Sequence, residues 1–460
     1  MKKKQVIRAG IWVLLGHFIS QLIRLGGNLV LTRLLVPEMF GVMAIVNVVL
    51  MGVQMFSDLG LGQSIIQSKR GEEPEFINTA WTLQIIRGFL LWLFICILAG
   101  FLWAGRYLGY LDNDNVYAYP LLPWLIMTAG IASLISGFNS MSIFLVNRNL
   151  MLGRMTIINL TAQLVSLCVI VSIAWRYETI WALAAGGIIS SIIEMVCSHK
   201  FLPGIKNSFH WDKSALTELF HFGKWIFFTS IISFLAVNYE RLVLGQYLTI
   251  SELGVYSIAV FLSTAVVTAG SRIAHSVLFP KFSEVFRNEP EKLKDIYYKS
   301  KKQLHFFLFP IAGCVFVWAP IIVELLYDDR YQYAGEILQI LMVGAFILFL
   351  TLPSGSCLMA MGRMGYSFVG NAMSFLTLVI GMPIVWKNTG MIGVLWLISF
   401  APISRMLIGG VGLYCNAIFS FWKEVFSLFL LIIGIALGIG SLYLFRDIVG
   451  FDMYIFGFIG

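Results

Sequence analysis

The chain is poor in charge: of its 460 residues only 12% are Asp, Glu, Lys or Arg, where a soluble domain carries about 25%. With a mean hydropathy of +0.85, that scarcity excludes a soluble globular protein and implies an integral membrane protein almost throughout. Strand-length alternation is missing too. The apolar runs far exceed the roughly 10-residue strands of an outer-membrane barrel, so the spans are helical. Six cysteines (Cys96, Cys168, Cys197, Cys314, Cys357, Cys415) lie scattered in apolar runs without metal-ligand spacing and read as small buried hydrophobes. No phosphate-cradling glycine loop, nucleotide-hydrolysis motif, zinc-spaced cluster or Ser-His-Asp arrangement occurs, so neither a cofactor nor an enzyme is expected. The N-terminal MKKKQVIR has no small-residue cleavage site after its apolar run, which predicts a retained first helix.

Spans are predicted at roughly 9–34, 38–62, 78–104, 116–140, 152–175, 178–199, 217–242, 250–278, 302–326, 332–358, 364–386, 390–418 and 421–445. An apolar remnant at about 453–460 leaves the count at thirteen or fourteen. With the N-terminus inside, inner segments hold about twenty Lys and Arg and outer loops about seven. That asymmetry explains the formal net charge of +8 without nucleic acid, and it places the N-terminus in the cytoplasm. Two inner segments stand out. Residues 199–216 read as an interfacial hinge, and 281–302 as a basic membrane-surface helix touching anionic lipid.

The stretch from Gly10 to Gln67 returns later in the chain. Sliding Gly10 onto Gly223 also carries Trp12 onto Trp225, Ser20 onto Ser233, Leu35 onto Leu248 and Gly41 onto Gly254, without a gap. An internal duplication of this kind marks a two-lobed transporter. The predicted organisation is a six-helix lobe at 1–198, a cytoplasmic linker at 199–216, a repeated lobe at 217–418 and accessory helices at 419–460. An even number of helices per repeat gives both halves one topology, so they should be related by a pseudo-two-fold along the membrane normal.

Polar groups interrupt these apolar helices in stripes. His17, Gln21, Arg24 and Asn28 recur on one face of the first span, and Asn47, Gln54 and Asp58 on one stripe of the second. The fifth carries Asn159 and Gln163, and the eighth Thr268 with Arg272 beside it. Further cations sit at Arg87, Lys224 and Arg405. Ser, Thr, Asn and Gln within a membrane are most often interhelical glue. Arg24 is different: it lies about 15 residues into its span, and a charge there costs at least roughly 2.5–3.5 kcal/mol unless it meets water or a partner. His17 and Asp58 both fall roughly 30 Å from the Pro37 turn, so they could pair as a proton or Na+ coupling site or as a plain polar contact. Cations gathered between the inner face and the centre suit an anionic substrate such as a phosphate headgroup from the inner leaflet.

The segment Leu31 to Gly41 (LTRLLVPEMFG), followed by Ser57 to Gly62 (SDLGLG), resembles the start of polysaccharide flippases. These form the polysaccharide-transporter branch of the multidrug/oligosaccharidyl-lipid/polysaccharide superfamily. Asn147-Arg148-Asn149 and the run Phe279 to Ser283 (FPKFS) also fit, whereas Val36 and Met39 stand where the family usually has Gly and Glu. The resemblance implies an all-α integral membrane protein with two pseudo-symmetric six-helix bundles in a V around a central cavity, plus one or two C-terminal helices. It implies export of an undecaprenyl-pyrophosphate-linked oligosaccharide across the bacterial inner membrane, with membrane lipid, polymerase and glycosyltransferases as partners. Arg24, Arg87, Lys224, Arg272 and Arg405 would bind the substrate, while Gln21, Asn28, Asn47, Gln54, Asn159, Gln163 and Thr268 would line its path. Two other readings remain. A drug exporter of the same superfamily would prefer an acidic cavity, and a polymerase or ligase often has a large outer loop; the longest here is about a dozen residues.

Overall fold

In a bilayer every backbone N–H and C=O must be satisfied internally, and runs of this length do so as helices. The computed structural model describes residues 3–56, 61–68, 70–110, 116–148, 151–204 and 207–449. Of the described residues 88% are helical and none lies in a strand. The chain divides into two compact units, Met1–Gly254 and Val255–Gly460.

The first unit contains α1 (Lys3–Leu34), α2 (Pro37–Phe56), α3 (Leu61–Gln67), α4 (Pro74–Tyr107), α5 (Leu122–Gly137), α6 (Ser142–Arg148), α7 (Leu152–Tyr177), α8 (Trp181–Phe201) and α9 (Lys213–Tyr247). Next, α10 (Ile250–Ile273) crosses the division. The second unit continues with a π-helical stretch Ala274–Leu278, α11 (Phe279–Asn288), α12 (Leu293–Leu326), α13 (Tyr333–Ala360), α14 (Met364–Phe400), α15 (Ile403–Cys415) and α16 (Phe421–Val449). Among the described residues nine helices are long and apolar enough to cross a membrane, or ten if α5 and α6, bent by 64°, form one span. One of those nine runs from Met364 to Cys415 and holds two legs, because Gly390 adopts a left-handed φ of 63° that breaks α14. Residues 450–460, where a fourteenth crossing would lie, fall outside the described residues.

The offset that carries Gly10 onto Gly223 also relates helix ends: α1 stops at Leu34 and α9 at Tyr247, α2 starts at Pro37 and α10 at Ile250. The equivalent positions meet reciprocally. A Cβ on Gly41 would collide with the Ile250 carbonyl and lie 3.0 Å from Gly254 N, while one on Gly254 would collide with the Pro37 carbonyl. At both positions only glycine admits backbones this close.

Two inner segments are more defined than their sequence suggests. Residues 207–212, within the predicted interfacial hinge, form an extended strap pinned to α4. Backbone N–H groups at alternate residues Ser208, His210 and Asp212 donate to Asn78 Oδ1, Thr82 Oγ1 and Thr79 Oγ1 of α4, at 3.0, 3.1 and 3.1 Å. An extended chain points every second N–H the same way, and α4 offers three buried polar side chains to meet them. Asp212 then caps α9 by accepting from the N–H groups of Ser214 and Ala215, and Arg70 bridges it at 3.2 Å. The Ser214 hydroxyl, those two N–H groups and Arg70 hold its carboxyl well below the usual carboxylate range. Nearby, Arg148 of α6 donates to the carbonyls of Ile65 and Ser68, both at 2.7 Å, satisfying the end of α3.

The basic segment 281–302 is likewise not one surface helix. It breaks at Glu289, and α12 begins at Leu293, so Lys299, Lys301 and Lys302 belong to the first turns of a long helix. Lys301 is buried against α16, where it pairs with Glu424. The accessory α16 is docked along α12 throughout. Tyr298 Oη accepts from Ser420 N at 2.7 Å, Trp318 Nε1 donates to Ser441 Oγ at 2.9 Å, and a Cβ on Gly313 would strike the Gly434 carbonyl.

Candidate functional site

In α1 the polar stripe divides into a packed side and an open one. Gly16 and Gly27 admit Thr156 and Leu167 of α7, so the two helices approach closely. Between those contacts Ser20 Oγ donates to Gln163 Oε1 at 2.7 Å, and Gln163 Nε2 donates to the Ser20 carbonyl at 3.0 Å. Gln163 is thus used as an interhelical tie. Gln54 of α2 is exposed, and its amide donates to Ser133 Oγ of α5 at 3.2 Å. Both match the ordinary role of amides in membrane bundles.

Next to the α1–α7 seam Arg24 is exposed in the middle of its helix, and His17, Gln21 and Asn28 are half-buried. Asn47 and Asn159 are exposed on α2 and α7. Arg87 is half-buried on α4, next to Gly88, whose Cβ would lie 3.1 Å from Gly137 Cα of α5. Arg24 and Arg87 therefore stand on helices with different principal neighbours, α7 and α5. Lys224 lies on α9 with its side chain outside the described residues, and Asp58 is itself outside them, so the His17–Asp58 pair falls there too.

In the second unit Thr268 is half-buried and Arg272 exposed at the end of α10, just before the π-helical stretch. Arg405 lies in the first turn of α15, half-buried, and its Nε is buried with no hydrogen-bond partner. It lines a cleft of about 260 Å³ between α13, α14 and α15.

The polar cluster that sequence reasoning missed joins α12 to α16. Lys301 is 2% exposed and bonded to the Glu424 carboxylate, with Tyr297 buried beside it. One turn on, His305 is fully buried and its Nε2 lies 3.1 Å from the Phe349 carbonyl. The signal was present in the sequence: Glu424 lies in the first turn of a helix with a long apolar run, and Lys301 and His305 share a face at i, i+4. Among the described residues no group of His, Cys, Asp and Glu is arranged to hold a metal.

The fold has close counterparts among solved structures. The lipid II flippase MurJ in an inward closed conformation superposes with a TM-score of 0.71 over 95% of this chain and 100% of that one, at 15% identity. An inward-facing multidrug-resistance MATE transporter gives 0.64 over 92% and 98%, at 13% identity. At these identities the likeness shows the fold: a multi-pass, all-α membrane protein of the kind shared by those transporters. Among sequences, lipopolysaccharide biosynthesis protein WzxC of Escherichia coli is 26% identical over 89% of this chain and 83% of its own length. A putative O-antigen transporter of Shigella flexneri is 24% identical over 78% and 85%. The model of the polysaccharide biosynthesis protein family matches residues 30–335, well over half of the sequence. The chain belongs to that family.

Proposed function

We propose that the protein flips undecaprenyl-pyrophosphate-linked oligosaccharide repeat units from the cytoplasmic to the outer leaflet of the bacterial inner membrane. The single observation that carries this reading is Arg24, a cation exposed in the middle of α1. Lipid would reject that charge, whereas a hydrated path for an anionic headgroup requires it. We assign Arg24 to the pyrophosphate, with Arg87, Lys224 and Arg272 adding positive charge, and Gln21, Asn28, Asn47, Asn159 and Thr268 serving the glycan. The names of the relatives support export of polysaccharide precursors and point to a transporter rather than a catalyst. In this reading the repeats 1–198 and 217–418 are the lobes of an alternating-access carrier with its N-terminus in the cytoplasm. Polymerase and glycosyltransferases of the same route would be its partners, and His17 with Asp58 would couple transfer to H+ or Na+.

The test is deletion of the gene in its host, followed by extraction of labelled lipid-linked sugars. A complete repeat should accumulate, unpolymerised, on the cytoplasmic leaflet. Wild type should relieve this, while Arg24→Ala, expressed at wild-type level, should not. Single repeats that reach the outer leaflet and stay unpolymerised would sink the flippase reading, and near-normal export by Arg24→Ala would remove that residue from the site.

A further inference from the structure

We propose that the cleft between α13, α14 and α15 binds a phosphate-class oxyanion, with Arg405 as its anchor. The cleft lies wholly within the second unit, and its occupancy does not depend on the flippase reading.

Its chemistry narrows the occupant. Arg405 brings a permanent positive charge, and no acidic side chain lines the cleft to balance it. A metal or alkali cation is excluded by that charge. An apolar occupant is disfavoured because Arg405 Nε is buried without a hydrogen-bond partner, and such a group gains most from an acceptor. Two of the lining hydroxyls are already used within α13. Thr351 Oγ1 and Ser354 Oγ already donate to the carbonyls of Leu348 and Thr351, at 2.7 and 2.8 Å. Asn371 and Ser367 of α14 line the same cleft as Arg405 and can donate into it. A planar fork of N–H groups with an amide and a hydroxyl is the donor set that phosphate oxygens take.

The local sequence builds this arrangement. Gly370 lets α15 approach α14, since a Cβ there would lie 3.1 Å from Arg405 Cα, and a Cβ on Gly409 would lie 3.0 Å from Ser354 Oγ. The break after Phe400 redirects the chain so that Arg405 opens a new helix. At about 260 Å³ the cleft is several times the roughly 30 Å³ share of one water, enough for phosphate or pyrophosphate with residual water. Two sources supply this chemistry: free inorganic anions, or the headgroup of a polyprenyl pyrophosphate.

The experiment uses the full chain in nanodiscs of neutral lipid at constant ionic strength. Thermal unfolding is followed against inorganic phosphate, against pyrophosphate, and in discs doped with polyprenyl pyrophosphate. A saturable rise in midpoint is expected. Apparent affinity should fall about tenfold or more in Arg405→Met, recover in part in Arg405→Lys, and fall about threefold in Asn371→Leu. A rise with free anions identifies a soluble ligand, and a rise only in doped discs identifies the lipid headgroup. No saturable rise in any arm, or an undiminished rise in Asn371→Leu, overturns the proposal even if Arg405→Met fails to fold. Failure of the wild-type protein to relieve precursor accumulation, with anion binding intact, would instead count against the transport reading alone.

Discussion

Lys301 and Arg405 are both cations set inside the second unit, and they are satisfied in opposite ways. Lys301 has a built-in partner: Glu424 meets its ammonium, and Tyr297 packs against it. Arg405 has a cleft instead of a partner, with its Nε buried and no carboxylate in the lining. A charge neutralised within the fold holds two helices together, and a charge left facing a cavity is available to a ligand. The distinction lies in the neighbours and not in the residue type.

The largest effect should come from breaking the paired cation. Glu424→Leu leaves a buried ammonium without its carboxylate and should destabilise the protein by about 3 kcal/mol, the low end for such pairs because Glu424 is 26% exposed. Adding Lys301→Met should restore most of that stability, as read by thermal unfolding in nanodiscs. If the double variant is no more stable than the single one, the pair is not what docks α16. A second change would convert one cation into the other kind. Asn371→Glu gives Arg405 a carboxylate on the neighbouring helix and should abolish the anion-dependent rise while leaving the unliganded midpoint within about 1 kcal/mol. A surviving rise would show that the guanidinium is not the anchor.

The smallest effect concerns the first unit, where Asp212 pins the strap. Its carboxyl is held below the usual range in the folded protein, so it contributes stability above that range and loses it only as pH falls through the depressed folded value. Asp212→Ala should therefore lower the unfolding midpoint by the same amount throughout about pH 5 to 8, as loss of a helix cap does. The difference from wild type should shrink only in stronger acid. A deficit that varied across the neutral range would mean that another group titrates at the strap.

Much of the architecture was legible in the sequence because it rests on periodicity and length. The apolar runs marked the helices, Pro37 marked the turn between the first two, and the offset that matches glycines and tryptophans also relates helix ends. The polar stripe on α1 was legible as a face, but not which of its residues would be used for packing. Gln163 looked like a path-lining amide, and it ties α7 to α1. Residues 281–302 looked like one surface helix because basic residues recur through them, and burial of Lys301 depended on Glu424, more than a hundred residues away.

By itself the sequence determined that this is a helical membrane protein with many apolar helices. This follows from short-range pattern: apolar length against bilayer thickness, and the spacing of polar residues around a helix. The tertiary structure alone decided which cation is neutralised and which faces a cavity, and that the linker is a strap stitched to Asn78, Thr79 and Thr82. Those outcomes depend on partners far apart in the chain, whose meeting is set by how helices pack and not by any local spacing.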